Sequence, residues 1–293
     1  MAIKSGGDLM AAYQAGQSHA MRICRTSSSS GTSANWNDWS MGSGQPSYDA
    51  HIGTALAFTP KSNSPSSCLW LPPAAGMDRR LVSMTMGAGI STSSISIYIC
   101  DFIGFYSQID GDSSSLQSFD NSTPLPRYAN GEGVQMFLVQ NVAPATSAGV
   151  ATITYTDTLG VSQQTTFNVN AATSIGTIIN GTIPGSANLN GSAFIPLSGN
   201  GRGVASVQSI QFGTAPSGNH ALCLVKPITQ WVHNDDAPGT VTGPSQYLTD
   251  KEFMMQSAGI CPSIPEGCQI MMLNRSSVSA TPVFFGELLF VWG

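Results

Sequence analysis

Charged residues are what this 293-residue chain has least of. Lys, Arg, Asp and Glu make up 9% of it, where an ordinary soluble domain has about 25%. That scarcity argues against helix bundles and coiled coils, whose outer faces are charged. The balance is acidic, 16 Asp+Glu against 11 Lys+Arg for a net charge of −5, and the basic residues stand singly or in pairs. Without a basic stripe there is no electrostatic footprint for a phosphate backbone, so nucleic acid is not an expected direct partner. Long apolar runs are missing as well. The most apolar stretch, Val283 to Trp292, is broken by Gly286 and Glu287 and falls short of the roughly 18 residues of a membrane-spanning helix. The expectation is a soluble protein that does not enter a membrane. The opening residues, Met1-Ala2-Ile3-Lys4-Ser5-Gly6-Gly7-Asp8, hold no apolar core after the lysine, which predicts synthesis in a cytoplasm. Six cysteines, Cys24, Cys68, Cys100, Cys223, Cys261 and Cys268, are dispersed over a chain long enough to fold without them. They are read as free and mostly buried thiols, not as a disulfide framework.

Catalytic patterns are equally thin. The histidines, His19, His51, His220 and His233, lie in no hydrolase motif, and no Gly-x-Ser-x-Gly precedes a strand-to-helix elbow. Cys261 and Cys268 enclose two prolines and a glycine, a spacing too wide for the paired ligands of a zinc ribbon. His233-Asn234-Asp235-Asp236 and Asp110-Gly111-Asp112, the latter like half of a calcium loop, each lack a full ligand set. Turns in which Asp and Asn bond their own backbone account for both more simply. The glutamates, Glu132, Glu252, Glu266 and Glu287, form no recognisable pair across a cleft, and Glu287 beside Gly286 reads as facing solvent or an interface. Gly199-Asn200-Gly201-Arg202-Gly203 lies between strands and not ahead of a helix, which makes it a turn and not a phosphate cradle. No catalytic, cofactor-binding or metal site is expected, and the chain is not read as an enzyme.

What the chain does have is Gly, Pro, Ser, Thr and Asn in abundance, with apolar residues at period two. Ile95, Ile97 and Ile99 alternate with Ser94, Ser96 and Tyr98, placing three β-branched residues on one face of a strand. Thr152, Thr154 and Thr156 alternate with Ile153 and Tyr155, Asp157-Thr158-Leu159-Gly160 interrupts, and Val161 to Val169 resumes, the signature of a β-hairpin. Further strands are expected at Leu81–Met86, Val134–Val139, Ile175–Ile179, Ala193–Leu197, Val204–Phe212, Ala221–Lys226, Gln269–Asn274 and Val283–Trp292. The fold class is therefore all-β, a β-sandwich of jelly-roll or Greek-key type. Helix is expected in two places. Leu9, Tyr13, Ala20, Ile23 and Cys24 form a modest amphipathic pattern from Asp8 to Cys24 with Asp8 as N-cap, and Thr249 with Glu252 makes a capping-box pattern over 249–255.

Residues 1–60 read as an extended N-terminal arm and 61–293 as the body, with 238–293 a candidate subregion. The arm carries a serine tract, Trp36-Asn37-Asp38-Trp39, and a Gly/Pro-rich run to Ser47. Two tryptophans in so polar a segment are costly to leave in water and must dock on something.

Several ordered segments resemble tailed-bacteriophage virion structural proteins. They are Ile97-Tyr98-Ile99-Cys100-Asp101, Thr123-Pro124-Leu125-Pro126-Arg127-Tyr128 with Gly131-Glu132-Gly133-Val134, Val150 to Gly160, and Gly201 to Ile210 leading into Leu222-Cys223-Leu224-Val225-Lys226-Pro227. The Trp36 and Trp39 segment with Gly42-Ser43-Gly44-Gln45-Pro46 is similar to the N-terminal portion of those proteins. The resemblance implies a capsid decoration, or cement, protein on the virion's outer surface, with the major capsid protein and its own copies, as a homotrimer, for partners. In that reading the arm lies across neighbouring capsid subunits. Trp36 and Trp39 are its anchors, and Tyr13 and Tyr48 are further contact candidates. A receptor- or carbohydrate-binding head-fibre or tail component is the rival expectation, with Trp70 or Trp231 as stacking platforms.

Overall fold

The alternating segments assemble into antiparallel sheets. The computed structural model describes residues 2–26, 35–41, 44–45, 51–65, 69–88, 94–141, 145, 147–171, 174–181, 192–234, 247–252, 261–276 and 283–293. In chain order the elements are α1 (Gly6–Gln14), β1 (Ser18–Thr26), β2 (Trp36–Asp38), β3 (Gly44–Gln45), β4 (Phe58–Pro60), β5 (Arg79–Ala88) and β6 (Ser94–Asp110). There follow β7 (Gln117–Ser118), β8 (Gln135–Gln140), β9 (Gly149–Asp157), β10 (Ser162–Val169), β11 (Asn180–Gly181) and β12 (Val204–Phe212). The last are β13 (Asn219–Asn234), β14 (Tyr247–Glu252), β15 (Ile270–Ser276) and β16 (Val283–Trp292). The all-β fold expected from periodicity is the fold observed.

Three sheets form. The central sheet runs β2-β15-β6-β13-β8, with β4 also on β6; a terminal sheet runs β14-β5-β16-β1-β3; a hairpin sheet runs β11-β10-β9-β12-β7. The long strand β6 explains how they stack. Ile97 and Ile99 enter a core with Met21, Met84, Leu288 and Phe290 of the terminal sheet. Farther along the same strand, Ile103, Tyr106 and Ile109 enter a second core with Ile153, Tyr155, Phe167 and Val207 of the hairpin sheet. One face of the central sheet thus serves two sandwiches, one at each end. Its opposite face, carrying Cys100, Phe102, Phe105, Phe137 and Leu273, is closed by Trp36, Met41, Ile178 and Ala193. Such a strand cannot keep strict alternation along its whole length. Between Leu224 and Val225 of β13 the pairing skips from Gly104 to Phe102, a β-bulge. Gly104 is required there, because a Cβ would lie 2.4 Å from the Phe58 ring and 2.6 Å from the Thr59 carbonyl.

Between the two cores sits a buried ion pair. The Asp101 carboxylate, fully buried, receives Arg127 Nη2 at 2.7 Å and Nε at 2.9 Å, while Arg127 also donates to the carbonyls of Lys61 and Phe102. Burial works against the guanidinium's charge, but the Asp101 hydrogen bonds and field outweigh it and raise its pKa. The pair satisfies a polar seam that would otherwise split an apolar face.

Several expectations are corrected. The described part of residues 1–60 is not an extended arm. β1 lies between β16 and β3 in the terminal sheet, β2 pairs with β15, and β4 pairs with β6. The segment buries too much apolar surface to leave the body. The first helix ends at Gln14, not Cys24, and its N-cap is Ser5: Ser5 Oγ accepts from Asp8 N at 3.2 Å and donates to Asp8 Oδ2 at 2.9 Å. Glycine at position 16, with φ 76°, stops it. Thr249–Glu252 belongs to β14 and not to a helix, because pairing with Ser83–Met86 of β5 overrides the local capping pattern. Ile175–Ile179 and Ala193–Leu197 are not regular strands either; they run along the edge of β8, Ile179 N donating to Leu138 O at 2.9 Å and Ile195 N to Met136 O at 2.8 Å.

Candidate interaction surface

The groups most capable of chemistry are sealed inside the fold. Asp38 Oδ2 lies 2.5 Å from His51 Nε2, and Ser40 Oγ lies 2.7 Å from Asp38 Oδ1. The residue types are those of a hydrolase triad, but the order is wrong: Ser40 donates to the carboxylate and not to the imidazole. Both side chains of the Asp38–His51 pair are fully buried, and the ring packs against Phe102 and Phe105. Asn141 Nδ2 ties the His51 carbonyl at 2.7 Å. Among the described residues the cluster is closed to solvent, and it fastens the chain at Asp38 and at His51 to the central sheet.

The Asp101–Arg127 seam also includes Tyr128 and Cys268. Burial, reinforced by the nearby Asp101 charge, pushes both the phenol and the thiol up, so neither is an available nucleophile or base. Lys226 sits over the Tyr128 ring at 4.1 Å from its centroid. Cys100 is raised in the same way, first by burial. Among the described residues the free cysteines are Cys24, exposed, and Cys100, Cys223, Cys261 and Cys268, buried.

No group of three His, Cys, Asp or Glu side chains fit to hold a metal occurs among the described residues. Asp110 Oδ1 accepts from Asp112 N at 2.9 Å, the self-bonded turn expected there. Asp235 and Asp236 lie outside the described residues. Glu287 faces outward from the terminal sheet and meets Arg22 at 3.3 Å.

The anchor candidates separate cleanly. Trp36 and Trp39 are 2% and 1% exposed and belong to the cores, so they are internal packing and not a free contact strip. Trp36 packs against Tyr98, which packs against Phe194, with tilted rings at 5.1 and 5.0 Å between centroids. Trp231 is buried at 5% in the terminal core, which removes it as a sugar platform; Trp70 is half-buried against His19. Tyr48 lies outside the described residues. Tyr13 is exposed on α1, one turn from the equally exposed Met10.

Sequence reasoning missed a second apolar spot. Leu159, at 68% exposure, and Val161 stand out at the tip of the β9–β10 hairpin. Their one trace in the sequence is a pair of apolar residues in and beside a turn that otherwise calls for polar ones. Asp157 forms that turn, its Oδ1 accepting from Leu159 N at 2.8 Å and Val161 N at 3.0 Å. Nearby, an open groove of about 380 Å³ runs past Gln135, Phe194, Pro196, Leu197 and Arg202. It holds no acid–base pair.

No known family model matches the chain, and no curated protein matches it. Among solved structures it is similar to the VP2 subviral particle of infectious bursal disease virus, at 11% identity over 94% of this chain and 80% of that one. The TM-score is 0.20, too low for that likeness to carry an argument.

Proposed function

We propose that this protein is a non-enzymatic structural component of a bacteriophage virion that binds the outer capsid surface and bridges neighbouring capsid subunits. The observation that carries the reading is that each sandwich presents a pair of exposed apolar side chains. Met10 and Tyr13 stand on the helix that packs against the terminal sheet, and Leu159 and Val161 stand on the hairpin tip of the other. A bridging protein needs two such points, each weak, and repetition over a shell multiplies them through effective concentration. The resemblance of residues 97–101, 123–128 with 131–134, 150–160, 201–210 and 222–227 to phage virion proteins supports the same reading, as does the commitment of the buried ionisable groups to holding sheets together. The major capsid protein is the proposed partner, and a homotrimer the proposed form, since closed symmetry matches the symmetry of a shell.

Purified protein added to capsids stripped of their surface proteins should rebind and raise the shell's melting temperature. Tyr13→Ala and Leu159→Ser should each weaken rebinding at least tenfold, on the scale of interface hot spots, without changing the protein's own melting. Absence of rebinding overturns the proposal. Glycan binding at the Phe194 groove, lost in Phe194→Ala, would favour the receptor-binding alternative.

A further inference from the structure

Where β6 and β8 end and β13 begins, the central sheet has a polar buried corner. His220 on β13 stands opposite Gln140 on β8, so their side chains share a face. Both residues are fully buried. Among the described residues neither side-chain amide atom of Gln140 has a hydrogen-bond partner, and neither ring nitrogen of His220 makes a well-aligned one, although the Ser217 carbonyl lies near enough to favour a proton on the ring. Phe212 of β12 meets the ring edge-on at 5.8 Å.

Two turns close over the ring. Gly111 N donates to the Gly218 carbonyl at 2.8 Å, and Ser217 N donates to the Gly111 carbonyl at 2.9 Å. Gly111 has no room for a side chain: a Cβ would lie 2.5 Å from His220 Nε2, 2.6 Å from the Ser217 carbonyl oxygen and 2.7 Å from that of Gly218. The imidazole therefore rests directly beneath the clasp. Ser217 is held in the left-handed region at φ 66°, a conformation serine leaves readily once its constraint is lost.

We propose that His220 is the pin of an acid-sensitive latch: neutral, it fills the space beneath the turns at 110–112 and 216–218 and keeps them clasped; protonated, it moves to solvent and the clasp opens. A buried imidazolium without a good partner is far more costly than an exposed one. Among the described residues the titratable groups facing the ring are Asp110 and Asp112, both on the turn itself and both exposed, so an outward-swung ring meets carboxylates at the surface. The neighbours from the other elements, Gln140, Phe212, Ser217 and Asn219, do not titrate.

Burial is the main cause that lowers the ring's pKa from 6.5 to about 4. The closed state then binds fewer protons than the open one. The stabilisation is complete above pH 6.5, declines as pH falls from 6.5 toward 4, and levels off below that. The full span corresponds to roughly a 300-fold change in the opening equilibrium.

Native-state hydrogen exchange tests the latch at its two donors. Protection factors of the Gly111 and Ser217 amides should fall more than tenfold between pH 7 and pH 4.5 in the unaltered protein and stay level in His220→Gln. Unchanged protection in the former, or an equal loss in the latter, overturns the proposal. Should His220→Gln fail to fold, the NMR titration of the His220 ring in the unaltered protein decides: a midpoint well below that of an ordinary histidine supports the latch, and one at or above it overturns it.

Discussion

The two sandwiches rest on the same face of one sheet, yet they are assembled from opposite kinds of contact. In the hairpin sheet, β9 and β10 pair across a short turn, Ser162 opposite Thr156, and Asp157 builds the turn between them. In the terminal sheet, β1 pairs with β16, Ser18 opposite Val291 and Thr26 opposite Val283, so strands from the two ends of the chain meet. Closing so long a loop must precede any reward from the contacts it permits. The hairpin at the heart of one sandwich is thus specified by neighbours in sequence, with β12 and β7 added to it from farther along the chain, whereas the terminal sheet depends on pairing between the two ends.

Removing residues 1–26 strikes hardest at that difference. β1 is an interior strand of the terminal sheet, and its loss uncovers Leu288 and Phe290 beside it. Hydrogen-exchange protection should vanish from β5 and β16 while β9 and β10 keep theirs; a truncated chain that melts like the full one would show that the sandwiches do not differ as described. Next in size is the seam that joins them. Arg127→Met leaves the fully buried Asp101 carboxylate unpaired, which should cost about 3–5 kcal/mol in urea unfolding, whereas the double variant with Asp101→Leu should recover most of it. Equal losses in single and double variants would mean that the pair does not act as a unit.

The smallest effect is confined to the hairpin and to low pH. Hydrogen bonds from Val161 N first, then from Gln163 and Leu159 N, hold the Asp157 carboxyl below the usual aspartate range. A depressed carboxylate contributes stability above its unfolded pKa, about 3.9, and loses it as pH falls below that. Asp157→Asn should therefore flatten the acid loss of β9–β10 protection below about pH 4, a window distinct from that of His220, and leave the terminal sheet unaffected.

Legibility followed the same division. The hairpin at 149–169 and the strands at 204–212 and 283–292 could be read directly, because period two and turn residues act over a few positions. The edge segments near Ile178 and Ile195 could not, since their apolar residues cover the side of β8 without joining a regular ladder. Trp36 and Trp39 carried a real signal, the cost of exposure, but not its solution: the surface they needed belongs to the same chain. Thr249–Glu252 holds a sound capping pattern that a neighbouring strand overrules. Of the contact candidates, Tyr13 was legible as an aromatic on an amphipathic turn. Leu159 was overlooked because an apolar residue in a turn reads as noise until the turn is seen to project it.

Composition and alternation by themselves determined that this chain is all-β, that its cysteines are mostly buried, and where its hairpin turns. Each of those depends on side-chain size, polarity and local backbone preference, which are properties of short segments. Tertiary structure alone decided that the leading residues become an interior strand, that Asp38 meets His51 and Asp101 meets Arg127, and that His220 lies beneath a clasp of two distant turns. Those outcomes depend on which strands become neighbours, a choice made by the burial of whole faces and not by any segment on its own.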